Sequence, residues 1–107
     1  MAQNTIFTYF LIIGRERDHM KQLAKKELDR INEVMSSIEL ASDSPKALEF
    51  MQMIQAYYKD GLHFYEKSMW LEAFESFVYT WGWLDAGARM EFFKIPKKVR
   101  KHFKIEQ

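Results

Sequence analysis

The chain has 107 residues, 48% of them hydrophobic and 16% aromatic, with no cysteine, four glycines and two prolines. That length supports one core, the apolar content argues against disorder, and the shortage of Gly and Pro argues against a β-rich fold with many turns. Without cysteine there is no disulfide framework, no thiolate catalysis and no Cys-ligated zinc.

The net charge of +1 conceals an asymmetry. Residues 1–93 hold 10 Lys/Arg against 14 Asp/Glu, and residues 94–107 hold 6 against 1. A mildly acidic body therefore carries a basic tail.

In chain order, residues 1–13 form an arm whose stretch Ile6–Ile13 (IFTYFLII) is apolar on every side. A membrane-spanning helix needs about 20 such residues, so no span is expected. The arm also lacks the basic start and small-residue cleavage site of a secretory signal, and with the absent cysteines this points to the cytoplasm. We expect it to extend the first helix and to bury itself on the bundle or on a second copy. Competing readings start translation at Met20, or lay the arm on a membrane surface, which the lack of Lys or Arg within the run weakens.

Residues 14–41 are highly charged, yet Ala24, Leu28, Ile31, Met35 and Ile38 recur at steps of four and three, a short heptad seam that predicts a long first helix. The segment Ala41-Ser-Asp-Ser-Pro45 is a boundary, since Ser44 can cap the next helix and Pro45 can occupy its first turn. A second helix is expected over 45–67, with Ile54, Tyr58, Leu62 and Tyr65 as its stripe and Gly61 in mid-helix. A third is expected over 69–93, antiparallel to the second across a turn of about two residues. On it Leu71, Phe74, Phe77, Val78, Trp81, Leu84 and Ala88 recur at helical steps and are assigned to the core. A second line, Ala73, Ser76, Thr80 and Gly87, is small enough for another helix to approach closely. The fold class is all-α: a three-helix antiparallel up-down-up bundle with an apolar arm and a basic segment over 94–107. In that segment Val99 and Phe103 share one side, which lets it dock back as a small amphipathic piece.

The spacing Gly61, Phe64, Ala73, Phe77 has a tetratricopeptide flavour, but a single unit cannot build a solenoid, which needs about three. A better match is the pattern Y-x-x-D-[AG]-x-x-[FY]-x-E-K-G-D followed by A-F-x-x-x-x-Y-x-x-G-x-L-D-A-x-x-R. It is met by Tyr57, Asp60, Gly61, Phe64, Glu66, Lys67, Ala73, Phe74, Tyr79, Gly82, Leu84, Asp85, Ala86 and Arg89. Over residues 45–93 the chain thus resembles a family of short archaeal helical-bundle proteins of unknown function. The resemblance implies a fold and supplies no activity. It departs from the pattern at the turn, where Ser68-Met69 replaces Gly-Asp; Gly takes a positive φ at low cost and Ser does not.

Few residues carry chemistry. Glu16 and His19, and Asp60 and His63, have the spacing used by di-iron bundles, but Asp60 and His63 fall off the apolar stripe and the spacing is cheap in so charged a chain. No Ser or Thr stands beside a His as an activated nucleophile, and the four glycines form no phosphate loop. We therefore expect no catalytic residue, no cofactor, no metal and no small-molecule substrate.

A protein partner or a second copy is expected at the aromatics that lie off the core stripe, Tyr79 and Trp83, together with Phe7 and Phe10 of the arm. Asp85 and Arg89, four apart, are expected to pair and to clamp the third helix onto the second. The alternative partner is a nucleic acid or ribonucleoprotein held by Lys94, Lys97, Lys98, Arg100, Lys101 and Lys104.

Overall fold

The computed structural model describes residues 2–103, with side chains from Arg15 onward. Three helices dominate: α1 over Ala2–Met35, α2 over Pro45–Glu66 and α3 over Trp70–Arg89. Two short strands, β1 (Glu39–Leu40) and β2 (Phe93–Lys94), and a 3-10 turn over Lys97–His102 complete the order. The architecture is an antiparallel up-down-up bundle in which α3 lies against both α1 and α2.

The helix boundaries follow from local chemistry. α2 opens where Ser44 Oγ accepts the Ala47 amide at 3.2 Å and Pro45 takes the first turn, where its missing N–H costs nothing. It closes at a Schellman turn: the Met69 amide donates to the Phe64 carbonyl at 2.9 Å and the Ser68 amide to that of Tyr65 at 3.0 Å. Ser68 stands at φ 61°, so the turn keeps its left-handed geometry although serine replaces the expected glycine.

α3 ends the same way. Glu91 stands at φ 61°, with the Phe92 amide on the Gly87 carbonyl at 2.9 Å and the Glu91 amide on that of Ala88 at 3.0 Å. The third helix therefore stops at Arg89 rather than at residue 93, and the chain doubles back so that Phe93 is buried.

The first helix also ends early, at Met35 rather than 41. The hydroxyls of Ser36 and Ser37 both donate to the Glu33 carbonyl, at 2.9 and 2.8 Å, and so compete with the helical ladder. The freed segment forms β1, which pairs antiparallel with β2 in the register Glu39 with Lys94 and Leu40 with Phe93. This ribbon, unforeseen in the sequence, ties the α1–α2 connection to the chain leaving α3. At its other end α1 begins at Ala2, so the backbone of the arm continues the helix; how the arm's side chains pack lies outside the described residues.

Two clusters make the core. One gathers Val34, Ile54, Leu84, Ala88, Phe93, Val99 and Phe103 near the ribbon; the other gathers Ala24, Ile31, Ala73 and Phe77 toward the α2–α3 turn. Each large apolar side chain fully buried here stabilises the fold by roughly 1.5–3 kcal/mol. The buried face of α3 is Ala73, Ser76, Phe77, Thr80, Leu84, Gly87 and Ala88, so the small-residue line lies inside. Leu71 and Val78, assigned to the core from their spacing, are instead 52% and 46% exposed. The stripe was rotated by the bulk of its apolar residues, whereas close approach of two neighbouring helices selects the small ones. On α2 the buried residues are Ala47, Ile54 and Gly61, with Tyr58, Leu62 and Tyr65 only half-buried. Gly61 receives the Phe77 ring: a Cβ built there would overlap it, and one on Gly87 would overlap the Phe93 ring.

Candidate interaction surface

Three surfaces emerge. The first is a cleft of about 610 Å³ at the α2–α3 turn, between α1 (Glu16, Arg17, Met20) and the start of α3 (Met69 to Glu72). Met69 and Leu71 are exposed there at 38% and 52%, and Met20 and Trp70 are half-buried. Lys21 Nζ lies 5.3 Å from the centre of the Trp70 ring, a cation–π contact that fixes one wall, and Tyr65 meets the same ring edge-on at 5.0 Å. None of these residues had been singled out as surface; the signal available was a Trp-Leu pair directly after a tight turn.

Above the cleft runs the outward face of α3, carrying Leu71, Glu75, Val78 and Gly82, all exposed. Nothing stands within 4 Å of the position a Cβ would take on Gly82. Tyr79 is 60% exposed and leans on Tyr57 of α2, with ring centres 5.4 Å apart. Trp83, expected beside it as an exposed anchor, is half-buried: Phe50 of α2 meets it edge-on at 4.9 Å and is itself edge-on to Phe92 at 5.1 Å. Its position off the bulky stripe is on the α2-facing flank of α3. Asp85 and Arg89 pair along α3, Oδ2 to Nε at 2.8 Å, on an exposed turn where such a pair contributes about 0–1 kcal/mol. Phe7 and Phe10 lie on α1, their side chains outside the described residues.

The third surface is the docked tail. Val99 and Phe103 are buried, and Phe103 meets Trp81 edge-on at 5.6 Å. Trp81 also carries the Arg30 guanidinium, 4.5 Å from the ring, while its own indole N–H is buried with no hydrogen-bond partner among the described residues. Arg30 is held in place by Glu27, both carboxylate oxygens at 2.9 Å. Glu33 of α1 latches the tail: His102 Nε2 is 3.1 Å from one of its oxygens and Lys101 Nζ 3.8 Å from the other. The hydrogen bond from His102 holds the Glu33 carboxyl below the usual range; desolvation works against it, and the charges of Lys101, His102 and Lys98 add to the lowering. Lys94, Lys97, Lys98 and Lys101 are exposed. Arg100 is half-buried and donates to the Ile95 carbonyl at 3.1 Å, so it serves the turn; Lys104 lies outside the described residues.

The residues weighed as metal ligands, Glu16, His19, Asp60 and His63, are all exposed. Among the described residues no group of three or more His, Asp or Glu stands close enough to hold a metal. Nor, among them, is any helix long and apolar enough to cross a membrane.

Fold and surfaces together define a small all-α bundle. Residues 21–93 match the family described as "Protein of unknown function (DUF357)", and the chain belongs to that family. It is similar to the crystal structure of protein AF1782 from Archaeoglobus fulgidus, of the same family: 30% identity, TM-score 0.63, covering 75% of this chain and 97% of that one. No curated protein matches.

Proposed function

We propose that the chain is a small non-enzymatic helical interaction module, working in the cytoplasm, that docks on another protein or on its own second copy. The observation that carries this reading is the undressed end of the bundle: Leu71 and Met69 stand open beside a cleft walled by Met20 and Trp70, where α1 departs toward its apolar first turns. Apolar residues grouped in this way mark association sites.

Light scattering on the full chain tests it. We expect a mass above the 12.9 kDa of one copy at micromolar concentration, reduced by Leu71→Ser, a substitution at an exposed site with little effect on folding. If the partner is another protein, the same variant as bait loses a protein that the natural chain retains from its native host. A chain that is strictly monomeric and retains nothing that Leu71→Ser releases would refute the reading.

A second reading has its own observation. By burying Val99 and Phe103 the tail turns Lys97, Lys98 and Lys101 outward beside Lys94, a cationic ridge suited to a nucleic acid. Titration of labelled RNA and DNA at two salt concentrations tests it: salt-sensitive binding lost in Lys97→Gln/Lys98→Gln/Lys101→Gln supports it, and no binding at low salt removes it.

A further inference from the structure

The basic tail folds back onto an acid. The Glu33 side chain on α1 is 45% exposed, and its two carboxylate oxygens face separate donors of the tail, His102 Nε2 at 3.1 Å and Lys101 Nζ at 3.8 Å. The His102 hydrogen bond and, after it, the charges of Lys101 and Lys98 hold the carboxyl below its usual range, so Lys98 acts on the same group. Most of the docking comes from Val99 and Phe103, buried on the apolar side of the turn, because an ion pair this open to water adds little to stability.

The neighbouring charges of α1 are matched among themselves. Lys25 Nζ lies 2.8 Å from Asp29 and Arg30 lies 2.9 Å from both oxygens of Glu27, with Lys26 exposed beside them. On the ribbon Glu39 stands directly opposite Lys94, and Glu91 is exposed just past α3. Of the tail's exposed lysines, Lys94 therefore faces Glu39 and Lys101 faces Glu33, while Lys97 and Lys98 form no ion pair among the described residues.

A carboxylate offers such donors two oxygens, as a phosphate does. We propose that Glu33 is a built-in competitor for the cationic ridge: its carboxylate occupies Lys101 and His102, and a phosphate of a bound nucleic acid takes these donors by displacing it. This rests on the nucleic-acid reading above and adds its regulation. The contact is open to solvent, so a phosphate reaches it while Val99 and Phe103 stay buried. Each phosphate neutralised releases condensed counterions, a gain that Glu33 does not offer and that salt reduces. The displaced carboxylate is left beside the bound anion, so the natural chain binds more weakly than one without that charge.

The experiment titrates full-length chains with labelled RNA and DNA at two salt concentrations, with folding checked by circular dichroism. Glu33→Gln should bind about three- to tenfold more tightly than the natural chain at low salt, and its log affinity should fall more steeply with log salt, by about one in the slope. Glu66→Gln removes the same charge at the α2–α3 turn, the other end of the bundle, and should change affinity by less than about twofold. Lys101→Gln should weaken binding more in the Glu33→Gln background than in the natural chain, whereas Lys97→Gln should weaken it equally in both. Equal affinity of Glu33→Gln and the natural chain, an equal gain in Glu66→Gln, or the same loss from Lys101→Gln in both backgrounds overturns the competition and leaves the ridge reading standing. No binding at low salt in either chain overturns both.

Discussion

The two ends of the bundle are finished differently. At the ribbon end β1 pairs with β2, Phe93 folds over Gly87, and Val99 and Phe103 seal the core beneath Trp81. At the turn end the buried core reaches Ala24 and Ala73, and beyond it Met69, Trp70 and Leu71 line an open cleft. The difference directs the test of the proposed docking to the turn end, where Met69 and Leu71 are exposed.

Removing the ring that anchors the open end should have the largest effect. Phe77→Ala is expected to cost about 3–5 kcal/mol in denaturant unfolding, because the ring is fully buried in the Gly61 notch. Phe103→Ala at the closed end should cost less, about 2–4 kcal/mol, since the tail can undock while the three helices persist; faster proteolysis within Lys97–His102 would report it.

The glycines sharpen the comparison. Gly61→Ala forces the Phe77 ring aside and should destabilise by about 1–3 kcal/mol, whereas Gly82→Ala should stabilise by up to about 1 kcal/mol. Equal effects at the two positions would erase the distinction between a filled and an empty face. Smaller again are the helix ends: Ser68→Gly and Glu91→Gly relieve left-handed residues and should each raise stability by about 0.5–1 kcal/mol.

The smallest effect is a pH dependence confined to the closed end. A carboxyl whose folded pKa lies below its unfolded value adds stability above the unfolded pKa and loses it as pH falls through the folded one. Acidification below the ordinary glutamate range should therefore loosen the tail as Glu33 takes up its proton and releases His102 and Lys101. Trp81 fluorescence, which reports Phe103 and Arg30 against the ring, should change over that range in the natural chain and not in Glu33→Gln.

Much of this was legible along the chain. The heptad seam of α1, the Ser44-Pro45 cap and the short reversal at Ser68 are local signals, because capping, propensity and periodicity act within a few residues. Of the candidate surface, Tyr79 stands where its place off the bulky stripe put it, exposed at 60%. Trp83 does not, because off the stripe includes the flank that faces α2, and only the position of Phe50 decides that.

By itself the sequence determined an all-α antiparallel bundle with an apolar beginning and a cationic end, since those properties follow from which side chains recur at helical intervals and where charge accumulates. Tertiary structure alone decided which face of α3 turns inward, that Glu39 and Leu40 pair as a strand with Lys94 and Phe93, and that Glu33 holds the tail. These depend on contacts between residues dozens of positions apart, and rings seated on Gly61 and Gly87 fix a rotation that periodicity leaves free.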